Sequence, residues 1–199
     1  VTVVWYENDT FARIRLRAMD RNSESCKWIL LLDGTLPCTS KDELPSWYNY
    51  EYSLTTQFKD GKEGVLNYTA VTFEYSGGAH PNQWENWLNF DKNTGKRLTL
   101  KDVFMAGSET PMSKMLLEKL IKEMATKLDN SNIQSLEDLQ NEGILNSTNM
   151  YVPDNFLLEK NEASFLYNKY DIAPYAMGTI VLSLPYAEIE KYMIHQTNN

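Results

Sequence analysis

The sequence predicts an α+β fold, a mainly antiparallel sheet with helices packed on one face. Strand-like segments recur through the first 91 residues, one helical stripe follows between about 110 and 128, and strand patterns return after 155. Strands that follow one another directly pair antiparallel through short turns, whereas a parallel sheet needs a crossover helix between each pair. With 42% hydrophobic and 12% aromatic residues the chain is too apolar to stay disordered, and 199 residues suffice for a substantial core. Two subregions are expected, a β-rich part over 1–60 and an α+β part over 61–199.

In chain order, Phe11–Ala18 alternates, with Ala12, Ile14, Leu16 and Ala18 on one face and three arginines on the other, the pattern of a half-buried strand. Trp28–Leu32 has the length of a buried strand. Tyr48–Thr56 and Glu63–Tyr75 are β-prone, and Asp60-Gly61 supplies turn residues for an antiparallel hairpin between them. Gln83–Phe90 completes a meander. Lys92–Gly95 breaks the pattern, and Thr99–Phe104 reads as a short helix with Thr99 as N-cap and Asp102 near the positive end of its dipole. Thr110 and Pro111 then open a longer helix whose Leu116, Leu117, Leu120, Ile121, Met124 and Leu128 recur at helical spacing. A brief helical signal sits at Leu136–Leu139. Strands are expected at Asn155–Leu158, Ala163–Asn168 and Thr179–Leu184, and a closing helix from Pro185 to about Met193.

Composition narrows the function. A net charge of −8 and a pI near 4.8 oppose binding to a phosphate backbone, which is driven by clustered Lys and Arg. No apolar run approaches the roughly 20 residues of a membrane helix. The chain starts at Val1 without a signal peptide, which leaves room for an export signal or lipid anchor outside it. Cys26 and Cys38 have two readings, a disulfide worth about 3 kcal/mol in an oxidising compartment or two buried thiols, and spacing does not choose between them. No cofactor motif is present: the sequence has no P-loop, no G-x-G-x-x-G opening a helix, no H-E-x-x-H and no cysteine-pair metal signature. Only His80 and His195 are available as a catalytic base, and no nucleophile elbow accompanies either. Paired carboxylates are the remaining route to hydrolysis, with Asp91, Asp102 and Asp171 nearest to structured segments; turn and cap positions are their simpler explanation.

The densest local signal is Tyr75-Ser-Gly-Gly-Ala-His-Pro-Asn82 followed by Trp84–Asp91. A glycine pair beside His80 and Pro81 between two strands demands a turn that most side chains forbid. Tyr75, Gly77, Gly78, His80, Asn82, Trp84 and Trp87 are therefore the candidate contact residues. Trp84 and Trp87 face opposite sides of their strand, so at most one belongs to the core. No catalytic or metal-binding residue is assigned.

The run Tyr75–His80, with Leu88-Asn-Phe-Asp91, Thr94-Gly-Lys96 and Leu98–Phe104, resembles the extracellular domain shared by RsiV-type anti-sigma factors and PdaC-type peptidoglycan deacetylases. Phe165-Leu-Tyr-Asn168 and Tyr170–Gly178, leading into Val181–Tyr186, are similar to the closing segment of that domain. The two motifs bracket about 65–194, and the strands over 1–60 resemble the small domain that often precedes it. The resemblance implies a non-enzymatic module outside a bacterial cell, secreted or held by a membrane helix or lipid. In the RsiV case such a domain binds lysozyme. No sigma-binding segment, deacetylase domain or individual lysozyme-contacting residue is matched here. The expected function is thus an extracytoplasmic envelope-binding or sensing module of unknown ligand, with a cationic protein such as lysozyme or a cell-wall glycan as the candidate partner. Alternatives are a peptidoglycan- or glycan-binding module using exposed aromatic rings, and a carboxylate-based hydrolase.

Overall fold

A computed structural model describes residues 7–8, 11–12, 25–32, 50–75 and 79–194, with side chains described at 51–75 and 79–194. Of the sequence expectations, Cys38, Gly77, Gly78, His195 and the arginine row at 13, 15 and 17 lie outside these residues, as does the Cys26 side chain. The architecture is α+β, as the order of elements predicts. Its chain divides into two compact units, Val1–Phe58 with Thr69–Asn86, and Lys59–Tyr68 with Trp87–Asn199.

The strands of the first half are β1 (Glu7–Asn8), β2 (Phe11–Ala12), β3 (Ser25–Leu32), β4 (Tyr50–Asp60), β5 (Val65–Tyr75), β6 (Asn82–Asp91) and β7 (Arg97–Leu98). β1 and β2 form an antiparallel pair, and the larger sheet has the order β3-β4-β5-β6-β7. In the first unit, β3 pairs antiparallel with β4 so that Trp28 stands opposite Leu54. The turn between β4 and β5 departs from the expected Asp60-Gly61 hairpin: Asp60 still belongs to β4, and Gly61–Gly64 make the connection. Gly64 takes the left-handed conformation there, at φ 77°, so the sharp reversal falls on it rather than on Gly61.

Among the described residues the buried apolar cluster lies in the second unit. After the turn at 92–96 come α1 (Leu100–Val103), α2 (Glu109–Lys127) and α3 (Leu136–Asn141), then β8 (Phe156–Leu158), β9 (Glu162–Tyr167), β10 (Ile180–Pro185) and α4 (Tyr186–Ile189), which a 3-10 turn at Glu190–Tyr192 prolongs. The second sheet has the order β10-β9-β8, antiparallel throughout. α2 packs on β10. Its buried stripe is Met112, Leu116, Leu120 and Met124, one residue per turn, and each such side chain stabilises by roughly 1.5–3 kcal/mol relative to exposure. Leu117 and Ile121 are half-buried, and Leu128 is 50% exposed because it caps the helix end instead of extending the stripe.

α2 begins two residues earlier than the sequence suggests, with Ser108 rather than Thr110 as N-cap. Pro111 remains within the first turn, where a missing N–H is harmless, so it does not mark the helix start. At the other end Asp129 adopts φ 49°, Asp129 N–H donates to the Thr126 carbonyl and Asn130 N–H to that of Ala125, a Schellman-type stop built on aspartate. Phe104, Phe156 and Phe165 form an aromatic cluster with centroids 6.0 to 6.3 Å apart beneath these elements. Among the described residues no helix is long and apolar enough to cross a membrane.

Candidate functional site

The sequence-derived contact residues separate between the two units. Tyr75 ends β5 half-buried, His80 and Asn82 are exposed, and Trp84 is half-buried on β6, all in the first unit; Trp87, also half-buried, belongs to the second. With its proton on Nδ1, the His80 ring donates to the Pro81 carbonyl 3.2 Å away, a local role in shaping its loop.

Three carboxylates of the motif regions act in turns and caps. Asp91 Oδ1 accepts from the backbone N–H of Asn93 and Thr94 and from the Thr94 hydroxyl, at 2.7 to 2.9 Å, and these bonds, that of the Thr94 N–H foremost, hold its pKa below the ordinary value. Asp171 accepts from the Asn168 N–H at 2.7 Å. Asp102 reaches back to the N-cap of α1, accepting from the Thr99 N–H at 2.9 Å and hydroxyl at 2.7 Å, as in a capping box with aspartate in place of glutamate. Lys96 binds its other oxygen, and these bonds, Lys96 foremost, hold the Asp102 carboxyl well below its usual 3.8. A depressed folded-state pKa stabilises the fold above the unfolded value and loses that stabilisation as pH falls toward the folded one. Thermal stability should therefore decline from about pH 5 downward, and Asp102→Asn should flatten that decline. Melting curves of both proteins between pH 7 and pH 2 check this; identical acid limbs would refute it.

The second unit also contains a seam that sequence reading did not single out. Asn89 of β6 donates from Nδ2 to the Phe156 carbonyl at 2.9 Å and accepts at Oδ1 from the Leu158 N–H at 2.8 Å, so one amide side chain supplies β8 with both bonds of a strand neighbour. Asn155 Oδ1 accepts from the Trp87 N–H at 2.6 Å. Asn67 Nδ2 and the Lys62 N–H both donate to the Leu158 carbonyl, at 3.2 and 2.8 Å, while the buried Asn67 Oδ1 has no hydrogen-bond partner among the described residues. Gly61 lies against this point: a Cβ there would sit 2.2 Å from the Leu158 carbonyl oxygen and 2.5 Å from Asn67 Oδ1. Asn67 and Asn89 are 2% and 1% exposed. Asparagine inside a β-prone run is the one local hint of such a role, since strands are depleted in it.

Beside the seam a groove of about 160 Å³ is lined by Trp87, Asn89, Arg97, Thr99, Asp154 and Phe156 among others. Arg97 and Asp154 are exposed, and neither side chain makes a hydrogen bond or ion pair among the described residues. Lys96, the cation next to Arg97, is engaged by Asp102.

A tyrosine-rich surface lies elsewhere in the same unit. Tyr151 is 42% and Tyr170 61% exposed, and the Tyr170 and Tyr175 rings are 5.7 Å apart, with Lys169 Nζ 4.4 Å above Tyr175. Tyr170 has φ 70°, a left-handed conformation that strains an aromatic residue by about 1–3 kcal/mol. It is fixed by its N–H bond to the Ala173 carbonyl and by the Asp171 turn that follows. Beneath, the Tyr167 hydroxyl donates to the Tyr151 carbonyl, and burial pushes the Tyr167 pKa far up. By contrast Ile172 and Ala173 of the motif are buried at 1% and 2%.

No curated protein matches the chain. A structure of a DUF3298 family member from Bacteroides fragilis NCTC 9343 is similar, with a TM-score of 0.68 and 27% identity over 76% of this chain and 57% of its own. A DUF3298 family protein from Pseudomonas aeruginosa PAO1 shares the fold at a TM-score of 0.57 and 20% identity, over 70% of this chain and 61% of its own. The chain thus spans less than two thirds of either protein. Residues 101–187 match DUF3298, a protein family of unknown function, the family whose name both of these structures carry.

Proposed function

We propose that the chain is a non-enzymatic binding or sensing module of the bacterial envelope, working outside the cytoplasm, and that its partner is a cationic protein of the lysozyme type. The observation that carries this reading is the exposed Tyr151 and Tyr170, the latter against the half-buried Tyr175 ring and held at a strained φ by its own loop. Tyrosines that are large, amphipathic and fixed before binding contribute most per residue at protein interfaces, because little side-chain freedom is lost on contact. The net charge of −8 favours encounter with a cationic partner. The RsiV-like motif residues agree with a shape-forming role, since Ile172, Ala173, Leu182 and Leu184 are buried and Asp91, Asp102 and Asp171 are engaged in turns and caps.

Titration with a lysozyme at low ionic strength should give association that weakens steeply between about 50 and 200 mM salt. Tyr170→Ala should weaken it by at least ~10-fold, the effect of losing an interface anchor of roughly 1.4 kcal/mol or more. Absence of binding at low salt would refute the proposal.

A further inference from the structure

Arg97 and Asp154 line one groove, carry opposite charges and do not meet each other: no ion pair within 4.0 Å joins them, and no other described side chain compensates either. Exposed pairs of this kind gain little by meeting each other, so both charges remain available to a ligand. The backbone that carries them is held in place by hydrogen bonds. Arg97 sits on β7, whose Leu98 stands opposite Asn89 in register. Asp154 precedes β8, which Asn89 clamps at Phe156 and Leu158, and the adjacent Asn155 holds the Trp87 N–H. The backbone framing the groove is therefore fixed before any ligand arrives.

We propose that this groove binds the zwitterionic head of a small α-amino acid, its carboxylate on the Arg97 guanidinium and its ammonium on the Asp154 carboxylate. A planar guanidinium matches a carboxylate through two parallel N–H bonds, and an ammonium offers three donors to an acceptor-only carboxylate. Size agrees. The volume of about 160 Å³ resembles the roughly 150 Å³ cavity that admits a six-membered ring, and alanine has as many heavy atoms as benzene. A hexose has about twice that number and brings no formal charge, so it would fill the space poorly and leave both side chains uncompensated. The inference rests on reading the chain as a binding module and is independent of its protein partner.

The test is amide-resolved NMR on the full chain with alanine of either hand, N-acetylalanine, alaninamide and N-acetylglucosamine. Alanine should shift the Trp87, Leu98 and Asp154 amides with an affinity in the millimolar range, fitting for so few atoms. Each single-charge analogue should bind at least ~10-fold more weakly, since each loses one charge-assisted contact. Arg97→Gln and Asp154→Asn should each abolish the shifts while leaving the melting temperature unchanged, both residues being exposed. Equal binding of N-acetylalanine or alaninamide, groove shifts with the sugar instead, or no shift with alanine would overturn the proposal. Lysozyme titration of the unsubstituted chain separates the claims: failure with alanine but retained lysozyme association removes only the groove assignment, and the reverse removes only the protein partner.

Discussion

Gly61→Ala should lower stability by about 3 kcal/mol or more, as a backbone-level clash in a packed site. For a chain of this size that corresponds to a fall of roughly 6–12 °C in melting temperature. The new methyl carbon would meet the Leu158 carbonyl oxygen at 2.2 Å, and that oxygen is fixed because it accepts from both the Lys62 N–H and Asn67 Nδ2. No rotamer relieves a Cβ contact with a carbonyl; the turn or β8 must move. Gly61 N–H also donates to the Val65 carbonyl, so moving the turn disturbs the start of β5. Alanine at Gly64 makes a useful comparison. Nothing lies within 4 Å of its Cβ position, so its penalty comes from φ alone, about 1 kcal/mol. Calorimetry of the two variants ranks them, and an unchanged melt for Gly61→Ala would refute the account.

Asn89→Ala should cost about 3–4 kcal/mol, because it leaves two buried backbone groups, the Phe156 carbonyl and the Leu158 N–H, without partners at once. Removing one member of a buried polar set is more damaging than the net worth of its bonds, since the remaining groups stay desolvated. Asn89→Leu has similar bulk and tests the same point: shape alone should not restore stability. Asn89→Asp keeps an acceptor for Leu158 but turns an oxygen toward the Phe156 carbonyl, and should be no better. Denaturant unfolding of the three variants decides. A loss below about 1 kcal/mol for Asn89→Ala would show that the amide is dispensable.

Regular elements were legible in the sequence because their signals are local. β-prone composition marked β4, β5 and β6 to within a few residues, and the helical spacing of Leu116, Leu120 and Met124 identified the buried face of α2. Met112 escaped notice because Thr110-Pro111 looked like a boundary, yet it is 1% exposed. The hairpin at Asp60-Gly61 was correct in direction and mistaken in mechanism. Gly61 is required by a carbonyl far along the chain, and no local pattern reveals a neighbour that only folding supplies. The groove follows the same logic. Trp87 stood out as an aromatic residue on an edge-like strand, but Arg97 and Asp154 acquire meaning only once β7 and the approach to β8 lie side by side. Asn89 was inside a motif and still unassigned, because a polar residue in a strand is ambiguous until its partners are known.

The amide seam also bears on how fast the protein forms. Its bonds join residues 67, 69 and 91 positions apart, so each becomes available only after a long stretch of chain has been closed into a loop. Such contacts reward the polypeptide late. Weakening them should act mainly by hastening unfolding and leave the refolding rate nearly intact, which makes Asn89 and its neighbours determinants of the lifetime of the native state.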